Sequence, residues 1–341
     1  MKRRLALGLA VAAVALTILV VSVGWQDVLD AMRDADRTIF SLAFLAVIGT
    51  LAFRTLSWHQ VLQSVERAVP RRQLFGIFTS ATFMKYATPY GQVAATPAIA
   101  YVLSQNTGGE FEGDFAAVVS GDFINYVPYY TLGTFGLLYL IFGTAWTFDV
   151  TARFYLVPLI FLAILAGFLF IWYRRETVER ALLSVADWSR RVVARVSPRV
   201  AEALSKENLQ DRLQGFYSTL DLLATDRRSI LLALFFGHLG WIMLAVALYV
   251  TLYAIGSPIA FPLAMLAVAL SKLGFLVPAP GGLGGVEATL AAVLVLTAGI
   301  GVAAATAGAL LFRLAAYWFP FALGGIWTAV LSLRGFQSNR N

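Results

Sequence analysis

The stretch LVPAPGGLGGVEATL, residues 276–290, places two prolines and four glycines in eight consecutive positions and follows them with one carboxylate, Glu287. Apolar runs flank it on both sides. Hydrophobic residues make up 59% of the 341 and charged residues only 13%, well below the charged share of a soluble domain. The charges cluster, so several uncharged stretches reach the ~20 residues that a membrane-crossing helix requires. The chain reads as all-α, a polytopic transmembrane helical bundle. Inside hydrocarbon, a backbone broken by proline and glycine leaves N–H and C=O groups unpaired, each at a cost of several kcal/mol. Such a break persists only where protein buries it or where it lines a wet cavity. Pro278 and Pro280 end one helix, the glycines permit positive φ, and a new helix is expected to start near Gly284. Its free N–H groups and positive dipole end would face the break and form a seat for an anion. The competing reading is a packing point at which glycines let two backbones touch.

The absence of cysteine excludes disulfides and Cys-ligated metal, and two histidines, His59 and His238, are too few for a His-rich site. No cofactor or metal is expected. The net charge of +7 lies mostly in loops beside apolar segments, where it sets topology and meets anionic lipid rather than nucleic acid.

After MKRR, the run LALGLAVAAVALTILVVSVG is too long for a signal-peptide core and reads as a first span. A short amphipathic segment over 25–37 precedes a second span at 38–58. Residues 73–103 are apolar but interrupted, 115–143 are apolar and long, and 153–173 form a clean span. The polar region 174–229 carries apolar residues at helical spacing (Val178, Leu182, Val185, Trp188) opposite Arg190, Arg191 and Arg195. It either lies in the headgroup plane or caps the bundle as a helical hairpin, on the cytoplasmic side in both cases. Further apolar segments cover 230–255, 259–277, 286–299, 301–318 and 319–333. The expectation is one integral domain over 1–341 with about eight spanning or re-entrant segments, in the cell membrane, its N-terminus and 174–229 loop cytoplasmic. A parity conflict arises if 73–103 crosses once, because the arginine-rich loop then falls outside, against the positive-inside tendency. A re-entrant hairpin bent at Pro89-Tyr90-Gly91 removes the conflict.

The two interrupted segments look alike: ATPYGQVAATPAIAYVL and PAPGGLGGVEATLAAVL each hold a Pro-x-Gly core, Pro89 to Gly91 and Pro280 to Gly282. Broken apolar segments at corresponding places in two halves point to a transporter-type binding site and a possible inverted repeat. Ionisable residues within spans are functional candidates. Lys85 precedes the first break and Lys272 the second. Arg313 has apolar neighbours on both sides, and Glu287 can pair with Lys272 or with Arg313. Asp122 and Asn125 fall one turn apart on one face and could line the same cavity. Arg54 is a candidate as well, but near the end of the 38–58 span it can snorkel, which favours a structural role.

LVPAPGGLGGVEATL resembles the P-x-PGGLG-x-x-E motif of the lysylphosphatidylglycerol synthase transmembrane-region family, also called the flippase-like UPF0104 family. FRLAAYWFPFALGG, residues 312–325, is similar to that family's Arg-containing segment with a downstream Pro and Gly. The resemblance implies a multi-spanning helical protein linked to moving lipid between leaflets. By position it points to Pro280, Gly281, Gly282, Gly284, Glu287 and Arg313. The first half departs from the pattern: where family members often carry an acid after the first Pro–Gly turn, this chain has Gln92 and then Thr96.

Together these features suggest a flippase-like protein that binds and translocates an anionic phospholipid or a lipid-linked sugar. Its substrate would meet Lys85, Pro89, Gly91, Asp122 and Lys272, together with the motif residues. The alternative is a non-transporting accessory subunit of a lipid-modifying enzyme or glycosyltransferase system. Enzymatic activity is not expected. The family's soluble aminoacyl-transferase domain is not expected within these 341 residues, and Asp34-Ala35-Asp36 matches D-x-D in a short loop where no nucleotide-binding domain is expected.

Overall fold

A computed structural model of the chain describes residues 25–65, 69–88, 91, 95–107, 111–143, 221, 225–277 and 279–338. The expected first span, the 153–173 span, nearly all of the 174–229 loop, Pro89 and Pro278 lie outside these residues. The described part is helical. Helix α1 (Trp25–Arg33) is short, buries Val28 and exposes Asp30 and Arg33. Helix α2 (Arg37–Ser64) starts at Asp36, whose carboxylate accepts the backbone N–H groups of Thr38 and Ile39. Helices α3 (Arg71–Ala87) and α4 (Thr96–Thr107) flank the first break, and α5 (Phe111–Gly143) follows. Helix α6 (Arg227–Ala254) starts at Asp226, which accepts the N–H of Ser229. Next come α7 (Phe261–Ser271), a 3-10 turn over Lys272–Leu276, the second break, and α8 (Gly285–Ala298). Helix α9 (Val302–Arg313) passes through a π-helical turn, Leu314–Trp318, into α10 (Phe319–Ser338).

Among the described residues three helical stretches are long and apolar enough to cross a membrane: α2, α6, and Val302–Leu331. The pieces around the second break are not. Phe261–Leu276 and Gly285–Ala298 span roughly 24 and 21 Å at ~1.5 Å per residue, short of the ~30 Å hydrocarbon core. They pack against each other as a hairpin, as α3 and α4 do.

The helix boundaries repeat with a constant shift. Arg37 and Arg227, Ser64 and Ala254, Arg71 and Phe261, and the capping Asp36 and Asp226 are each 190 residues apart. The contacts repeat as well: α3 packs on α10 as α7 packs on α5, and α4 on α5 as α8 on α9. Helices α2 and α6 pack on each other along their length, antiparallel. The Asp36 N–H donates to the Ala254 carbonyl at 2.8 Å, Gly49 faces Met243, and the Ser57 hydroxyl donates to the Ala233 carbonyl at 2.8 Å. Equivalent helices that run antiparallel are related by a two-fold axis lying across them, so the two halves form an inverted repeat.

This arrangement bears on the parity question. Between antiparallel α2 and α6 the chain must cross the membrane an even number of times. The sequence expectation of two crossings in this interval, at 115–143 and 153–173, is consistent with that parity only if 73–103 returns to the side it entered; 153–173 lies outside the described residues.

Glycines allow the close approaches, again in matched places. Gly136 lies under the Pro262 carbonyl and Leu266, while its counterpart contact joins Gly76 to Trp327. Gly133 meets Ala269 as Gly324 meets the Thr79 carbonyl. Small residues at such crossings let van der Waals contact and backbone approach drive association in lipid.

Candidate functional site: a cationic cavity between two helix breaks

The second break is built from left-handed glycines. Gly281, Gly282 and Gly284 have φ of 58°, 65° and 80°, a region costly for any residue with a Cβ. Gly274 and Gly285 bring two backbones into contact, and a Cβ at Gly281 would run into the Tyr317 ring. The break is therefore also a packing point. Glu287 lies in the first turn of α8, close to the helix N-terminus, and is buried. That dipole end already has the chain's own carboxylate beside it. Glu287 pairs with Arg313, not Lys272: the Arg313 Nε donates to Glu287 Oε1 at 2.8 Å, and its Nη2 donates to the Gly281 carbonyl at 2.8 Å. The guanidinium also lies 4.1 Å from the Tyr317 ring centroid. Arg313 thus fastens the break to α9 through a dry ion pair and a backbone carbonyl. Pro280 and Leu283 are packed into the same buried knot.

The cavity lies next to this knot. Its volume is about 310 Å³, and none of the residues 279–287 lines it. The wall comes instead from the helix ends that precede the breaks, with Lys85 and Tyr86 from α3 and Lys272 from the 3-10 turn, together with Arg54, Asp122 and Trp241. Lys85 stands in the last turn of α3, where exposed carbonyls and the negative dipole end favour a cation. Lys85 Nζ donates to both Asp122 oxygens at 2.6 Å. Asn125, one turn on, accepts from Arg54 Nε at 3.3 Å, so Asp122 and Asn125 do share one cavity. Lys272 lies 5.3 Å from the Trp241 ring and 4.9 Å from that of Phe275, and Arg54 lies 5.4 Å from Trp241. Among the described residues neither Lys272 nor Arg54 is paired with a carboxylate. Three cations against one carboxylate leave the wall with an excess of positive charge. Leu273 and Leu276, 56% and 77% exposed, form an apolar rim.

The structure therefore groups the sequence candidates in two sets. Lys85, Asp122 and Lys272 line the cavity, while Pro280, Gly281, Gly282, Gly284, Glu287 and Arg313 build the knot behind it. Gly91 is buried at the first break, where a Cβ would collide with the Lys85 carbonyl. Arg54 corrects the expectation of a snorkelling residue. Helix α2 continues to Ser64, six residues past the expected span end, which leaves Arg54 ten residues from the helix terminus and pointing into the cavity. Trp241 and the tyrosines of YVPYY were missed. Trp241 donates to the Asn125 carbonyl at 2.8 Å and Tyr129 to the Ala269 carbonyl at 2.8 Å, joining the halves around the cavity. The aromatic density of YVPYY around a mid-span proline was the available signal.

The profile of the family described as "Lysylphosphatidylglycerol synthase TM region" matches residues 5–324. Two UPF0104 membrane proteins of Methanothermobacter thermautotrophicus are 25% and 26% identical to this chain. Each alignment covers 95% of this chain, and 94% and 92% of the respective relatives. A UPF0104 membrane protein of Pyrococcus horikoshii is 25% identical over 92% of this chain and 94% of its own length. With its long apolar helices and a match across nearly its whole length, the chain is a membrane protein that belongs to the lysylphosphatidylglycerol synthase TM-region family.

Proposed function

We propose that the protein binds the phosphate group of a membrane lipid, an anionic phospholipid or a lipid-linked sugar, in the cavity between the two breaks and moves it between leaflets. The observation that carries this reading is the pair of cations without carboxylate partners among the described residues, Arg54 and Lys272, set around Trp241 inside a membrane-embedded inverted repeat. A buried charge in hydrocarbon is costly and persists where it serves a ligand or a wet pathway. The apolar rim at Leu273 and Leu276 suits a headgroup that enters while its acyl chains stay in the bilayer. Lys85, held by Asp122, becomes available as a third contact when that pair opens. Arg313 and Glu287 support the site from behind. On this reading the protein handles lipid without chemical change, sits in the cell membrane and keeps its N-terminus and 174–229 loop cytoplasmic.

The test uses purified protein in proteoliposomes carrying fluorescent phosphatidylglycerol or phosphatidylcholine, with leaflet occupancy read by dithionite quenching. Movement of phosphatidylglycerol is expected above that of protein-free vesicles, and Lys272→Gln should reduce it. Absence of movement for either lipid and for a lipid-linked sugar phosphate, with no binding of these lipids in detergent, would overturn the proposal.

A further inference from the structure

The 190-residue shift can be applied to the cavity itself. The turn ends map onto one another: Thr82 onto Lys272, Lys85 onto Phe275, Tyr86 onto Leu276. These residues straddle the pseudo-two-fold axis and belong both to the cavity and to its symmetry-related counterpart. The remaining wall does not map onto itself. Arg54, Asp122 and Asn125 correspond to Leu244, Phe312 and Ala315, which are buried together in one apolar cluster. The counterpart is thus collapsed where the cavity is open.

One contact closes it. The rings of Tyr86 and Tyr317 lie 4.8 Å apart, the Tyr86 hydroxyl donates to the Ala316 carbonyl at 3.5 Å, and the Tyr317 hydroxyl donates to the Tyr86 carbonyl at 3.5 Å. Both hydrogen bonds are at the long limit and therefore weak. Tyr317 and Ala316 belong to the π-helical turn, a local distortion frequent at functional sites. Pro320, four residues beyond Ala316, has no N–H to offer that carbonyl. Tyr86 meanwhile lines the open cavity. A single side chain therefore faces the open space and seals the closed one.

Building on the lipid-moving reading, we propose that Tyr86 and Tyr317 form a gate between the cavity and its collapsed counterpart. When the gate parts, the counterpart opens, Lys85 leaves Asp122, and Lys85 and Lys272 carry the phosphate headgroup across the axis. Arg54 and Asn125 stay behind, and Leu244, Phe312 and Ala315 offer the headgroup nothing in their place. The phosphate is held tightly on the present side and loosely on the other, from which it leaves.

The absence of cysteine allows a direct test. Phe83 and Phe321, outside the cavity wall, lie 4.8 Å apart with tilted rings on the same seam, and Phe321 stacks on Tyr317. Phe83→Cys/Phe321→Cys is cross-linked with a short bis-thiosulfonate, which pins α3 to α10 and is reversed by reductant. The expected result is at least a tenfold fall in phosphatidylglycerol movement on cross-linking, recovery on reduction, and unchanged binding of short-chain phosphatidylglycerol in detergent. Equal movement in the cross-linked and reduced states overturns the gate and leaves the lipid-moving reading intact. No movement in either state or in the parent protein overturns both. As a second measurement, Tyr317→Phe removes one hydroxyl contact and keeps the ring. It should quicken movement, and a rate equal to or below the parent's counts against the gate.

Discussion

The two halves share a backbone plan and use it differently. Each half has an aspartate-capped helix of 28 residues, a broken hairpin and a long helical stretch. Each hairpin is tied to the following helical stretch by an ion pair. In the second half that pair, Glu287 with Arg313, is dry: the side chains are 2% and 6% exposed and stand outside the wall of the cavity described above. In the first half the pair, Lys85 with Asp122, stands in the cavity wall at 12% and 17% exposure. The same device is thus a buried fastener in one half and a contact in a cavity wall in the other. A buried pair resists rearrangement because separating it leaves bare charges in a low dielectric, whereas a pair beside water or a ligand exchanges partners at less cost.

Removing one partner from each pair would break the comparison most decisively. Arg313→Ala strands the Glu287 carboxylate, so a destabilisation of about 3–5 kcal/mol is expected, read as a lower melting temperature and loss of monodisperse protein in detergent. Asp122→Ala leaves Lys85 beside an open cavity and should cost clearly less. Equal losses would mean that the two pairs are alike after all. Next comes the break itself. Gly281→Ala forces a Cβ into the Tyr317 ring at φ 58°, and a cost of roughly 1–3 kcal/mol is expected from the strained backbone. A melting temperature equal to the parent's would show that the knot is looser than its geometry indicates.

A fourth substitution concerns ligand rather than fold. Lys272→Gln removes a cation with no carboxylate partner among the described residues. Charged hydrogen bonds are worth about 1.5–3 kcal/mol, so binding of short-chain phosphatidylglycerol should weaken roughly ten- to hundredfold with the melting temperature unchanged. Weakening no greater than that from Arg313→Lys would remove the distinction between cavity and support. The smallest effect concerns the helix caps. The Ser229 hydroxyl and backbone N–H hold the Asp226 carboxyl below the usual carboxylate range. A depressed folded value means that the cap stabilises at neutral pH and loses that contribution as pH falls through it. Asp226→Ala should therefore lower the melting temperature slightly at neutral pH and not in strong acid. A difference that persists in acid would assign the effect to packing instead.

Local chemistry made part of this legible in the sequence. Proline and glycine act on their own residue's φ and on hydrogen bonds a few positions away, so both breaks and the start of α8 beside Gly284 could be read directly. Lys85 and Lys272 were recognisable because a charge in an apolar run has few explanations. Partners were harder. Glu287 had two candidate cations, and the choice of Arg313 depends on how α8 and α9 pack, which no local pattern records. Arg54 was misplaced because the expected span ends at residue 58, just before a loop expected from Arg67, Arg71 and Arg72, with Ser57, His59 and Gln60 at the boundary. Those side chains are buried against neighbouring helices, and α2 continues past them. The separation of cavity from knot was also hidden, since PAPGGLGG looks the same whether its backbone lines a space or fills one.

The antiparallel contact of α2 with α6 has a consequence for the protein's history. Two equivalent helices packed head to tail across a two-fold axis are what two copies of a half-length ancestor form when they insert into a membrane in opposite senses and dimerise. Joining the copies into one chain fixes their ratio and orientation, and it releases each from serving in both places. Arg54 opposite Leu244, and Asp122 opposite Phe312, are the kind of divergence that a fused pair can accumulate and a homodimer cannot.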